Sequence, residues 1–170
     1  EEVFGTFEQL LHSGKVGVIG GSNYSAERLN KALTKAEELN LPRYEVFQTE
    51  YNLLERKEFE TGIKEVCIKQ QVDVATYFSL ASGFLTGKYR KKEDFEDTSR
   101  RVLTEKYFNE KGLSVIKALE EVSEEHNISI SGAALRWILQ RPGVTAAIAS
   151  ATKESHLNAF DEAVTTTLSA

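Results

Sequence analysis

Lys15-Val16-Gly17-Val18-Ile19-Gly20-Gly21-Ser22-Asn23-Tyr24-Ser25 passes from a short apolar run through paired glycines into a polar turn. Val16 to Ile19 suits a buried strand, being brief, largely β-branched and bounded by glycine. Gly20-Gly21 ends it. Ser25 has the chemistry of an N-cap, with a hydroxyl placed to accept from the first turn of a helix. That helix carries Leu29, Ala32, Leu33, Ala36 and Leu39 on one face. Strand, glycine turn and helix form one unit, and the order recurs along the chain.

Upstream, Val3, Phe4, Phe7, Leu10 and Leu11 fall on one helical face, and Gly14 takes the place of the residue just past a helix end. Downstream of Pro42, Tyr44 to Gln48 reads as a strand, and Phe59, Ile63, Val66 and Cys67 mark a helix. Val72 to Ser79 reads as a third strand. Residues 82–109 are polar, with Arg90-Lys91-Lys92 and Glu93-Asp94, and read as a functional or a mobile loop. Leu113, Ile116, Leu119 and Val122 line a further helix. Ile130 to Gln140 is another, ended by Pro142-Gly143. Val144 to Ala149 is the last strand, and Leu157 and Phe160 belong to a closing helix. Strands alternating with helices imply right-handed crossovers and a parallel sheet, here in a single domain over residues 1–170.

The 170 residues are 41% hydrophobic and 28% charged, which is ordinary globular composition. With 21 Lys and Arg against 26 Asp and Glu, the net charge is −5, so there is no overall pull toward nucleic acid or an anionic membrane. The one cysteine, Cys67, excludes an intrachain disulfide or a zinc site built on cysteines. It fits a reducing, cytoplasmic setting and reads as core. No apolar run approaches the ~20 residues that span a bilayer, and Glu1-Glu2-Val3-Phe4 does not begin a signal peptide. Methionine is absent, which reads as a piece of a longer chain.

Four places invite chemistry. At Gly17 to Asn23 a ligand can approach glycine backbone near a helix N-terminus, although the spacing is not that of a dinucleotide or phosphate loop. Gln48 and Glu50, two apart on a strand, face the same way. Tyr77 stands at a strand end before a Ser/Gly loop reaching Tyr89, where an aromatic can stack on a planar ligand. Ala149-Ser150-Ala151-Thr152 leads into a helix in which His156 sits in the middle, on the surface. His12 and His126 lie by helix ends, where they complement the dipole. No histidines have metal-ligand spacing, and no nucleophilic triad or dyad follows from these spacings.

Together the four places resemble the aldo-keto reductase family, on its potassium-channel-β-like, bacterial side. Gly14-Lys15-Val16-Gly17-Val18-Ile19-Gly20-Gly21-Ser22-Asn23-Tyr24-Ser25 is similar to its GKVRxIGxSNYS segment. Gln48-Thr49-Glu50-Tyr51-Asn52-Leu53-Leu54 resembles QxEYNLL, and Leu80 to Tyr89 resembles PLxxGxLTGKY. Ala134-Leu135-Arg136-Trp137 and Pro142-Gly143-Val144 resemble ALxW…PGV. The resemblance implies half of a (β/α)8 TIM barrel: four parallel strands equivalent to the fifth to eighth, with flanking helices and the site at the strands' C-terminal ends. It implies NADPH as cofactor and a small aldehyde or ketone as substrate of the parent enzyme. By matching position Ser22, Asn23 and Gln48 would hold the nicotinamide carboxamide, and Tyr77 would stack on the ring. Leu80, Ser82 and Gly83 would line the pyrophosphate side, with Lys88 near the loop over the cofactor. Ser150 would face the adenosine phosphate.

The family's catalytic Asp, Tyr, Lys and His belong to its first half, so no residue here is assigned a catalytic role. Phe78 stands where relatives carry Pro or Ser, Gly17 replaces an arginine, and His156 and Ala159-Phe160 replace polar residues near the adenosine phosphate. NADPH binding is therefore expected to be weak or lost in the isolated chain. The competing expectation is a non-catalytic half-barrel, natural or engineered, that associates as a homodimer or with a complementary half-barrel through its open strand edges. A further alternative is a non-enzymatic interaction subunit. Neither nucleic acid nor membrane is expected as a partner.

Overall fold

The computed structural model describes residues 2–96 and 101–169. Four strands form one sheet in the order β1-β2-β3-β4: β1 Gly20–Ser22, β2 Val46–Glu50, β3 Asp73–Tyr77 and β4 Ala146–Ala147. They are parallel and flanked by helices, as the alternation of strand and helix requires. The chain packs as two compact units, one of residues 1–49 and 57–75, the other of residues 50–56 and 76–170. β2 and β3 each contribute to both.

The first unit opens with α1, Glu2–His12, which ends before Gly14 in the left-handed conformation (φ 65°). β1 lies later than the Val16–Ile19 run. Its register pairs Gly20 with Val46 and Ser22 with Gln48, and the ladder begins at the Glu45 N–H to Ile19 C=O bond of 2.9 Å. Carried back, that register sets Val16 opposite Pro42, which has no N–H to give. Apolarity made the run look like a strand, but the partner decides where pairing starts. β2 is Val46–Glu50 rather than Tyr44–Gln48, β3 is Asp73–Tyr77, and only Ala146–Ala147 of the Val144–Ala149 run forms β4.

The double glycine has a packing cause. A Cβ on Gly20 would lie 2.9 Å from the Val46 carbonyl oxygen, and one on Gly21 would lie 3.1 Å from the Tyr44 ring. After β1, α2 (Ala26–Glu38) starts at Ser25, whose hydroxyl accepts the Arg28 N–H. It buries Leu29, Leu33 and Ala36 and packs on α3, Lys64–Gln70. A kinked turn, Phe59–Ile63, leads into α3, and Phe59, Ile63 and Cys67 are all buried. On β2 the buried residues are Phe47 and Thr49, and on β3 they are Val74 and Thr76. This is the period-2 alternation of a sheet covered on one face.

In the second unit, residues 82–109 are not a bare loop. They contain 3-10 helices at Ala81–Thr86 and Lys92–Asp94 and a short α4, Arg101–Glu105, while residues 97–100 lie outside the described residues. Phe84, Tyr89, Phe95 and Tyr107 are buried in one cluster with Leu54, Ile116 and Leu119. Ring centroids lie 5.8 Å apart for Tyr89 and Phe95, 5.3 Å for Phe95 and Phe108, and 6.1 Å for Phe84 and Tyr107. Aromatic packing orders this stretch, and that requires no regular period. Asp94 closes a turn by accepting the Arg90 and Lys91 N–H groups at 2.7 and 3.0 Å, which holds its carboxyl below the usual range.

α5 (Glu110–His126) and α6 (Ile130–Leu139) are capped by Asn109 and Ser129, which accept the Gly112 and Gly132 N–H groups. α6 packs on α5 and on α7, His156–Thr165. The Glu162 carboxylate on α7 receives both the N–H and the hydroxyl of Ser129. Trp137 on α6 meets the Tyr51 ring at 5.5 Å, with the Arg56 and Arg141 guanidiniums 5.1 and 4.9 Å from the indole centre. His156 is the first residue of α7 rather than its middle. It is exposed, and its Nδ1 accepts the Thr152 N–H at 3.3 Å.

Candidate functional site

In the first unit Ser22 closes β1, and its hydroxyl donates to the Gln48 carbonyl at 3.0 Å. Asn23 follows with φ 59°, a left-handed conformation that asparagine tolerates better than most residues. Behind this turn the hydroxyls of Tyr24 and Tyr44 are 3.3 Å apart, and Arg28 sits 4.7 Å from the Tyr24 ring. Burial, reinforced by the Tyr24 hydrogen bond, pushes the Tyr44 phenol up to about 12. Gln48 lies on β2 between buried Phe47 and Thr49, so its own side chain is exposed on the opposite strand face. Ser22, Asn23 and Gln48 are thus brought together by the β1–β2 pairing.

In the second unit Tyr77 closes β3. It is half-buried, with Phe78 against it edge-on at 5.4 Å and 68°. The backbone that follows is held in left-handed conformations: Phe78 φ 50°, Ala81 φ 47°, Ser82 φ 57° and Gly83 φ 93°. Proline, fixed near −65°, cannot occupy the Phe78 position. The path is tied by the Ala81 N–H to Phe78 C=O and Gly83 N–H to Leu80 C=O bonds, 2.7 and 2.8 Å. Left-handed non-glycine residues cost on the order of 1–3 kcal/mol each and persist only where the surroundings dictate them.

Asn52 is one of those surroundings, and the sequence motif alone does not reveal its role. It is fully buried, donates from Nδ2 to the Phe78 carbonyl at 3.1 Å, and accepts the Leu54 and Glu55 N–H groups at 2.8 and 3.0 Å. Below the turn the hydroxyls of Thr76 and Ser79 meet at 3.0 Å. Leu80 is half-buried against the aromatic cluster. Lys88 is exposed, with its ammonium 4.7 Å from the Tyr89 ring, and Ser150 is exposed just past β4. Tyr77, Leu80, Ser82 and Gly83 therefore share one turn, while Lys88 and Ser150 come from separate segments of the same unit.

Glu50 closes β2. Its carboxylate accepts the Tyr107 hydroxyl at 3.4 Å. Tyr107 is buried, and that burial raises its phenol above the ordinary value. Its neighbour Lys106 reaches Glu55 at 2.8 Å, which holds the ammonium protonated beyond the usual lysine range. Among the described residues no group of three or more His, Cys, Asp or Glu is placed to hold a metal ion, and no helix is long and apolar enough to cross a membrane.

The model of the aldo/keto reductase family matches residues 1–170. The chain is 31% identical over 163 residues to an L-glyceraldehyde 3-phosphate reductase of Escherichia coli O157:H7, covering 92% of this chain and 47% of that protein. It is 29% identical over 171 residues to a probable voltage-gated potassium channel subunit beta of Arabidopsis thaliana, covering 96% and 52%. It is 27% identical over 144 residues to the aldo-keto reductase yakc [NADP(+)] of Schizosaccharomyces pombe, covering 82% and 41%. The chain spans about half the length of the curated relatives it matches.

Proposed function

The chain belongs to the aldo/keto reductase family, and from that premise we propose that it is the half of a cytoplasmic reductase barrel that holds NADPH. The observation that carries the reading is positional. Three successive parallel strands each present an assigned residue at or near the C-terminal end: Ser22 on β1, Gln48 on β2 and Tyr77 on β3. In a barrel of this kind the chemistry lies at those ends.

The donor set fits a carboxamide. The Ser22 hydroxyl gives its hydrogen to Gln48 C=O and keeps lone pairs to accept an amide N–H. Asn23 and Gln48 each carry a donor and an acceptor on one group. Tyr77 offers a ring for stacking, and the Leu80–Gly83 turn offers backbone close to a pyrophosphate, with Lys88 and Ser150 toward the remaining phosphates. Bound NADPH supplies a hydride to the carbonyl carbon of a small aldehyde or ketone. The residues of this chain bind and orient, and no acid catalyst is assigned among residues 1–170.

A thermal melt with and without NADPH tests the reading. A ligand that binds only the folded state raises the melting temperature by mass action. We expect a small upward shift at millimolar NADPH and none in Tyr77→Ala. An unchanged shift in that variant would remove Tyr77 from the site.

A second reading rests on the sheet edges. β1 and β4 are the outer strands, and Val18 and Ile148 are 53% and 45% exposed. Open edges and uncovered apolar residues recruit further strands, which supports a homodimer or a complementary half-barrel as partner. Sedimentation of the purified chain decides this. Association with rising concentration is the expected result, and a monomer at high concentration refutes it.

A further inference from the structure

Glu50 stands two residues beyond Gln48 on β2, so both side chains leave the same strand face, about 7 Å apart along the strand. Nearby, Lys106 pairs with Glu55 at 2.8 Å. Glu50 itself is held by a neutral group, the Tyr107 hydroxyl, at 3.4 Å. The end of β2 therefore carries a carboxylate whose described partner is a neutral hydroxyl. Resting on the cofactor reading above, with Gln48 at the carboxamide, we propose that Glu50 sets the redox-state preference of the nucleotide site by favouring the oxidised cofactor.

The argument is electrostatic. The oxidised nicotinamide ring carries a positive charge and the reduced ring is neutral, while the phosphates are the same in both. A carboxylate several ångströms from the ring acts on that one difference. At such a separation in partly screened surroundings a unit charge changes the ratio of the two affinities about three- to tenfold.

The test is calorimetric titration of the purified chain with NADP+ and with NADPH at low salt, for the wild type and Glu50→Gln. Glutamine keeps an oxygen to accept from Tyr107, and a melt without nucleotide checks that the variant folds. The expected result is that the NADP+ to NADPH affinity ratio falls three- to tenfold in Glu50→Gln. Tyr107→Phe keeps the charge and should retain most of the wild-type ratio. Binding of both nucleotides with an unchanged ratio in Glu50→Gln overturns the inference alone. Binding of neither nucleotide to the wild type overturns the cofactor reading, and this inference with it.

Discussion

Replacing Asn52 by alanine removes a single side chain that serves three backbone groups. Two of them, the N–H groups of Leu54 and Glu55, accept no substitute from the protein: Leu54 is buried and Glu55 half-buried. The third, the Phe78 carbonyl, still accepts the Ala81 N–H at 2.7 Å. A buried donor left unpaired costs about 1–3 kcal/mol. Two such donors, one of them partly hydrated, together with the lost packing, come to about 3 kcal/mol. With a urea slope of about 2 kcal/mol per molar, the midpoint should fall by ~1.5 M at unchanged slope. Asn109→Ala is the comparison. That exposed asparagine caps α5 by accepting the Gly112 N–H at 3.1 Å and donates from Nδ2 to the Lys106 carbonyl at 3.0 Å, and losing such a cap costs about 1 kcal/mol, or ~0.5 M. If the two asparagines proved equal in urea titrations, the idea that Asn52 fastens the turn after β3 would be wrong.

Alkaline pH should weaken the fold. Burial pushes the Cys67 thiol up to about 11 from an ordinary 9.0, and the Tyr44 phenol up to about 12 from 10.0. Between those limits the unfolded chain releases protons that the folded chain keeps, so stability is full below pH 9 and falls as pH rises toward 12. Urea midpoints at pH 8, 9 and 10 check the sign, and Cys67→Ala should flatten the early part of the decline; a steady midpoint in the wild type would contradict it. Ser129→Ala removes the α6 cap and one of two bonds to Glu162, for an expected loss of about 1–2 kcal/mol. In a double-mutant cycle with Glu162→Gln the two losses should not add, because both residues belong to one network.

The longer helices were legible because their apolar residues recur at a period no neighbour needs to supply. Leu29, Leu33 and Ala36 are buried as their spacing demands, and Ser25 caps α2 as its chemistry allows. Strand direction was legible too, since alternation with helices leaves only a parallel sheet. Strand limits were not. Val16 to Ile19 looks more like a strand than Gly20–Ser22, yet the pairing with β2 starts only at Ile19. The aromatic cluster from Phe84 to Phe108 has no period, so its order could not be read from spacing. At the site, Ser22, Gln48 and Tyr77 were placed at strand ends by motif. The left-handed path through Phe78, Ala81 and Ser82 was hidden, because only the surrounding hydrogen bonds force it.

Trp137 is the chain's sole tryptophan, and in the second unit its indole has the Arg56 and Arg141 guanidiniums 5.1 and 4.9 Å from its centre. Indole emission responds to nearby charge, so its colour and intensity report the Arg56 and Arg141 stack rather than the molecule at large. The first unit holds no tryptophan, so the emission belongs to the second unit alone. A melting curve followed by indole emission would therefore trace how that unit comes apart, without any dye or engineered probe.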